Sequence, residues 1–212
     1  MKQTFLSIPA ILFLTLICYG QSININVNAI GFIIINDSIY NGSGFVMLKP
    51  DNVVTCAHVI DTTKQISYKV PGKSTKFKLK VIKYDIENDL ALLKSDVNIC
   101  DTPLIPEEKF NILPGKHLFY LGYDILESNF QSKVMQANNA YVDAVGKFLS
   151  GKVNVDFIEF TGVGIPGYSG GPVFNDKGQI VGVMREAWFR QSVKGGPKVL
   201  INRAISIIPL IK

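Results

Sequence analysis

Charge and histidine are both scarce in this 212-residue chain: Asp, Glu, Lys and Arg make up 18% of it, and His58 and His117 are its two histidines. Such a balance, 22 Lys and Arg against 17 Asp and Glu, is too even and too dispersed to form a nucleic-acid footprint. The densest basic run, Lys73, Lys76, Lys78, Lys80 and Lys83, alternates with Phe77, Leu79 and Val81, the spacing of a strand with one solvated face. No low-complexity tract or internal repeat is visible, which excludes solenoids and disordered tails. The one extended apolar run, Phe5 to Tyr19, is short for a membrane span and is broken by Pro9. Cysteine is also sparse. Cys18 falls in that run, and Cys56 and Cys100 remain. Spacing alone does not bring these two within bridging range, and Cys56 occupies a strand position suited to a small hydrophobe, so two buried thiols are expected rather than a disulfide.

What is present begins with a leader. Lys2, the apolar run and Cys18-Tyr19-Gly20 read as the basic, hydrophobic and cleavage regions of a secretory signal peptide over residues 1–20. That assigns a secreted or periplasmic location and a mature chain without stable membrane insertion; an uncleaved anchor is the alternative. Ile17 before Cys18 disfavours lipid attachment. The 192 residues after Gly20 are nearly all β in pattern. Short runs rich in Val, Ile, Phe and Tyr are expected as strands at Ile30–Asn36, Ser43–Leu48, Val53–Cys56, Gln65–Val70, Lys76–Tyr84 and Leu90–Lys94. A second set is expected at His117–Leu121, Lys133–Val145, Asp156–Phe160, Pro172–Phe174, Gln179–Met184 and Val199–Ile201, with a closing segment, Arg203–Ile211. Between the sets, Pro103, Pro106 and Pro114 mark a crossover.

Four glycines and two prolines surround Ser169 in Gly164-Ile165-Pro166-Gly167-Tyr168-Ser169-Gly170-Gly171-Pro172-Val173-Phe174. A backbone that turns this tightly keeps its amides close to the serine hydroxyl, as a nucleophile loop requires. Gly167-Tyr168-Ser169-Gly170-Gly171 also fits the G-x-S-x-G elbow of α/β-hydrolases, in which the histidine follows the serine. Here both histidines precede it, so an elbow would have no base. The order that does occur is histidine, aspartate, serine: Thr55-Cys56-Ala57-His58-Val59, then Asn88-Asp89-Leu90-Ala91-Leu92-Leu93, then the loop of Ser169.

With Gly42-Ser43-Gly44-Phe45-Val46 and Leu121-Gly122-Tyr123, these segments resemble the G-S-G-F, T-A-A-H-V, D-L-A-L-L, I-G-N/Y and G-N-S-G-G-P motifs of trypsin-like serine peptidases, closest to Deg/HtrA-type protease domains. The resemblance covers almost the whole chain after the leader. It implies an all-β, chymotrypsin-like fold of two six-stranded antiparallel β-barrels: residues 21–100 with His58 and Asp89, a crossover over 101–115, and residues 116–212 with Ser169. The active site would lie in the cleft between them. Only 43 residues follow Ser169, too few for the PDZ domain usual in HtrA-type proteins, and no regulation through such a domain is expected.

The resemblance assigns His58 as general base and acid, Asp89 as the carboxylate that fixes its tautomer, Ser169 as nucleophile, and the backbone N–H groups of Gly167 and Ser169 as the oxyanion hole. His117 is expected to be a satisfied core residue, and Asp85 and Asp96 are competitors of Asp89 that fit the motif less well. Tyr168, just before the nucleophile, cannot receive a new N-terminus as the aspartate of digestive trypsins does, so zymogen activation of that kind is not expected. Val163 would lie at the base of the primary specificity pocket, with Met184, Arg185, Glu186 and Ala187 on its wall. A small or medium aliphatic residue is then expected before the scissile bond, with an acidic one left open by Arg185. No metal or cofactor is implied, and the partner would be a protein or peptide substrate. A catalytically silent binding module and an esterase using the same three residues are the alternatives.

Overall fold

The computed structural model describes residues 13–18, 21–124, 135–191 and 196–211. Fourteen strands and one short helix make up the described chain: β1 Phe13–Cys18, β2 Gln21–Asn26, β3 Ile30–Ile35, β4 Ile39–Val46, β5 Asn52–Cys56, β6 Ile66–Lys69, β7 Lys76–Asp85, β8 Leu90–Ser95, β9 His117–Tyr123, β10 Met135–Ser150, β11 Val153–Thr161, β12 Pro172–Phe174, β13 Ile180–Gln191, β14 Lys198–Ser206 and α1 Ile208–Ile211. Strands β3 to β8 close into one antiparallel barrel in the order β3-β4-β5-β8-β7-β6, and β9 to β14 into a second, β10-β11-β14-β13-β12-β9. The all-β, two-barrel architecture expected above is the one observed. No helix among the described residues is long and apolar enough to cross a membrane.

Alternation places the side chains. In β7, Phe77 and Leu79 are buried while Lys76, Lys78 and Lys80 face water, so the basic run is a solvated strand face. Strands β3 and β9 are buried along their whole length. For β9 the reason is two apolar environments: Leu118 and Tyr120 pack inside the second barrel, whereas Phe119, Leu121 and Tyr123 join the core shared with the first. Ile180, Val183, Ile205 and Ile207 join that shared core too. The barrels therefore meet through a continuous apolar interface, which fixes the cleft on its solvent side.

Residues 100–115 cross between barrels without a strand; isolated bridges pair Met47 with Leu104 and Pro106 with Ile180. Of the expected leader, residues 1–12, 19 and 20 lie outside the described residues, while β1 pairs with β2, Phe13 opposite Asn26 and Cys18 opposite Gln21. Ile23 and Ile25 anchor β2 separately in the core. The start of the expected Lys133–Val145 strand also lies outside the described residues. Cys56 and Cys100 are both buried and unbridged.

Candidate active site

His58 sits in a single 3-10 turn, Ala57–Val59, that ends β5. Asp89 lies just before β8, at the close of a turn capped by Asp85, whose carboxylate accepts from the Asn88 backbone N–H and side-chain amide at 2.9 Å each. The turn leaves Asp89 at φ +54°, a conformation Asp tolerates better than most residues, and aims its carboxylate beneath the imidazole. Asp89 Oδ1 accepts from the His58 backbone N–H at 3.0 Å, and the His58 Nδ1 lies 2.8 Å from Oδ2 and 3.1 Å from Oδ1. A carboxylate only accepts, so Nδ1 carries the hydrogen and Nε2 is left as the basic nitrogen. The His58 side chain is 48% exposed and that of Asp89 10%, which suits a base open to substrate and an orienting group shielded from water. The two competing aspartates are otherwise engaged: Asp85 caps the turn, and Asp96 pairs with Lys80 at 2.8 Å on the surface.

Ser169 comes from the other barrel. Its loop is held by β4, β9 and β13 together. The Ser43 N–H donates to the Ser169 carbonyl at 2.8 Å, and the Ser43 hydroxyl donates to the Gly167 carbonyl at 2.6 Å while accepting from the Tyr123 N–H at 3.1 Å. The Gly170 N–H donates to Met184 and the Met184 N–H to Gly171, each at 2.8 Å. Gly167 and Gly170 have φ of +105° and +87°, and a Cβ on Gly170 would stand 2.1 Å from the Ser43 carbonyl oxygen. Only glycine fits there. Among the described residues the N–H groups of Gly167 and Ser169 donate to no protein acceptor, whereas those of Tyr168, Gly170 and Gly171 do.

His58, Asp89 and Ser169 line one open cleft of about 600 Å³, with Tyr84, Arg185 and Glu186. The Ser169 hydroxyl, however, donates to the Arg185 carbonyl at 2.9 Å and not to His58. That carbonyl is brought in by a β-bulge: the register of β13 on β14 slips between Met184 and Glu186, leaving Arg185 as the extra residue.

The five residues expected at the specificity pocket divide. Met184, Glu186 and Ala187 line a small slot of about 30 Å³ beside Ser169, together with Gly164, Ile165 and Tyr168. Val163 is not in its lining: the residue is 47% exposed, and its carbonyl accepts from the Tyr120 hydroxyl at 2.9 Å. Arg185 also leaves the slot, because the bulge re-aims its side chain at Asp89, with Nε 3.1 Å from Oδ2. Glu186 pairs with Arg203 at 3.0 Å, so its charge is compensated. Two residues of the quoted motifs have structural roles that the sequence did not assign. Tyr168, fully buried against Tyr120, forms part of the slot, and Ser43 joins the barrels. His117 is a satisfied buried residue, with Nδ1 2.8 Å from Asp176 and Nε2 3.2 Å from Asn139.

Cys56, His58 and Asp89 present donor atoms within 4.8 Å of one another, a grouping with the chemistry of a metal site. The residues do not fit one. Burial first, and the Asp89 charge second, push the Cys56 thiol well above its ordinary pKa; its Sγ–H donates to the Met184 carbonyl at 3.1 Å, while Nδ1 is engaged by Asp89. A metal ligand would have to be the thiolate.

Comparison with known proteins places the chain in a family. Residues 42–183 match the trypsin-like peptidase domain. Probable periplasmic serine endoproteases described as DegP-like are similar: one from Pseudomonas fluorescens is 34% identical over 151 residues, 70% of this chain and 30% of that protein. One from Marinomonas is 32% identical over 175 residues, 81% of this chain and 35% of that protein. The chain thus spans about a third of the length of the curated relatives it matches. Among solved structures, the active form of the Rv3671c protease from M. tuberculosis superposes with a TM-score of 0.67 at 20% identity, over 85% of this chain and 76% of that one. The HtrA-type protease AlgW does so with a TM-score of 0.67 at 18% identity, over 87% and 62%. At such identities the likeness speaks for the fold.

Proposed function

Because the chain belongs to the trypsin-like peptidase family, we propose that it is a serine endopeptidase cleaving exposed protein segments, with His58, Asp89 and Ser169 as its triad. The observation that carries the reading is the His58–Asp89 pair of one barrel facing Ser169 of the other across a single cleft. In this mechanism Nε2 of His58 takes the Ser169 proton as Oγ attacks the scissile carbonyl, and returns it to the departing amine. Asp89 keeps the ring in its Nδ1–H tautomer and stabilises the imidazolium. The two unengaged N–H groups, of Gly167 and Ser169, would receive the oxyanion; losing one such donor costs about 3–4 kcal/mol of transition-state stabilisation. Water then hydrolyses the acyl-enzyme by the same relay. The periplasmic naming of relatives supports a periplasmic or secreted enzyme.

The slot volume supports a small residue before the scissile bond, since about 30 Å³ holds roughly two water-sized groups. With Glu186 paired to Arg203, nothing in its lining favours Lys or Arg. In a peptide series varied at that position, Ala is expected to exceed Phe and Lys in kcat/KM by about tenfold or more; preference for Lys or Arg would contradict the slot assignment. Ser169→Ala is expected to abolish casein cleavage with an unchanged circular dichroism spectrum, and cleavage retained by that variant would refute the nucleophile. One observation favours a second reading, a silent binding module: the Ser169 hydroxyl rests on the Arg185 carbonyl. Wild-type protein that folds but does not cleave casein would select it.

A further inference from the structure

Arg185 is the bulged residue of β13, and its side chain reaches back across the cleft to the carboxylate that orients His58. Nε lies 3.1 Å from Asp89 Oδ2, the oxygen that also holds His58 Nδ1 at 2.8 Å. The guanidinium rests 5.0 Å above the Phe148 ring of β10 and 3.9 Å from Glu186, and the side chain is largely shielded from water. One carboxylate oxygen thus bridges an imidazole and a permanent cation. We infer that Arg185 is a positioning residue for the His58–Asp89 pair, fixing the Asp89 carboxylate and setting, through its charge, the pH range in which His58 can act as a base. The inference deepens the proposed triad and rests on His58 being its base.

Asp89 favours the imidazolium; a guanidinium on the same carboxylate offsets part of that attraction and holds the carboxylate in one orientation. The remaining groups facing His58 from neighbouring elements are the Glu186 carboxylate of β13, the Tyr84 phenol of β7 and the buried Cys56 thiol of β5. Of these Glu186 alone carries charge near neutrality, and it is shared with Arg203. Arg185 is therefore the one cation lining this cleft among the described residues.

The chain has two histidines, so the test has an internal control. Both imidazoles are titrated by NMR in the Ser169→Ala protein, where ring protonation is read whether or not the wild type hydrolyses anything. Arg185→Gln is expected to raise the His58 midpoint by about 0.5–1 pH unit. Arg185→Lys, which keeps a cation, should move it by less than half as much, and His117, tied to Asp176 and Asn139, should not move. Arg185→Ser, without a long side chain to accommodate, should repeat the Gln result. With Ser169 intact, the acid limb of kcat/KM on casein should shift by the same amount while KM stays within about twofold. A His58 midpoint that is unchanged or lowered in both neutral variants, or one that shifts equally at His117, overturns the inference. Failure of the wild type to cleave casein counts against the hydrolase reading and leaves the titration result standing.

Discussion

At the scale of single residues, the site depends on positions where one conformation is permitted. Gly170 combines φ +87° with a Cβ direction blocked by the Ser43 carbonyl oxygen at 2.1 Å and the Thr55 hydroxyl at 2.2 Å. Gly170→Ala is accordingly expected to destabilise by about 3 kcal/mol or more in urea unfolding, since backbone strain adds to overlap with main-chain atoms that cannot give way. A variant of native stability would mean the loop is not held as described. This glycine, the serine beside it, His58 and Asp89 were all legible in the sequence, because each occupies a short motif whose residue types have few other uses together. The slot was half legible: Met184, Glu186 and Ala187 line it, but Val163 and Arg185 do not. An alternating pattern tells which face a residue takes only while the register is regular, and the bulge at Arg185 breaks it.

Among the elements, β4 carries more than its place in the first barrel requires. The Ser43 hydroxyl ties the Gly167 carbonyl to the Tyr123 N–H, joining β4, β9 and the loop of Ser169 at one buried atom. Ser43→Ala would leave the Gly167 carbonyl and Tyr123 N–H without that partner, and is expected to cost about 1–3 kcal/mol in denaturant unfolding. It should also lower kcat, because the Gly167 amide is on the peptide plane adjoining the released carbonyl. Unchanged stability would show that water or another group replaces the hydroxyl without loss. The strands themselves were legible where the core is. Ile30–Ile35 and Pro172–Phe174 emerge from apolar runs, whereas β10 and β13 extend well past their expected limits. Their outer halves mix polar with apolar residues, half-buried or exposed, and are paired through backbone bonds with β11 and β14; backbone pairing leaves little trace in side-chain type.

For the molecule as a whole, the shared apolar core between barrels makes the cleft a product of folding rather than of any local motif. The proposed base and nucleophile, His58 and Ser169, are 111 positions apart in the chain, and both line the same groove. Global stability should also have an alkaline limit. Burial pushes the Cys100 thiol from 9.0 up to about 11, so the folded state holds the proton more tightly than the unfolded state does. That contribution is complete below about pH 9 and is lost as pH rises toward 11. Melting temperature should therefore fall across that window, and more gently in Cys100→Ala; equal slopes would indicate that the thiol is not the titrating group.

The central claim is that Ser169 is made nucleophilic by His58 across the groove. Its most direct test is the rate at which a fluorophosphonate labels the native protein, mapped to the modified residue. The account predicts labelling at Ser169 in the wild type and a rate lower by about a thousandfold or more in His58→Ala. A folded wild type that resists the probe, or a His58→Ala protein labelled as fast as the parent, would contradict it.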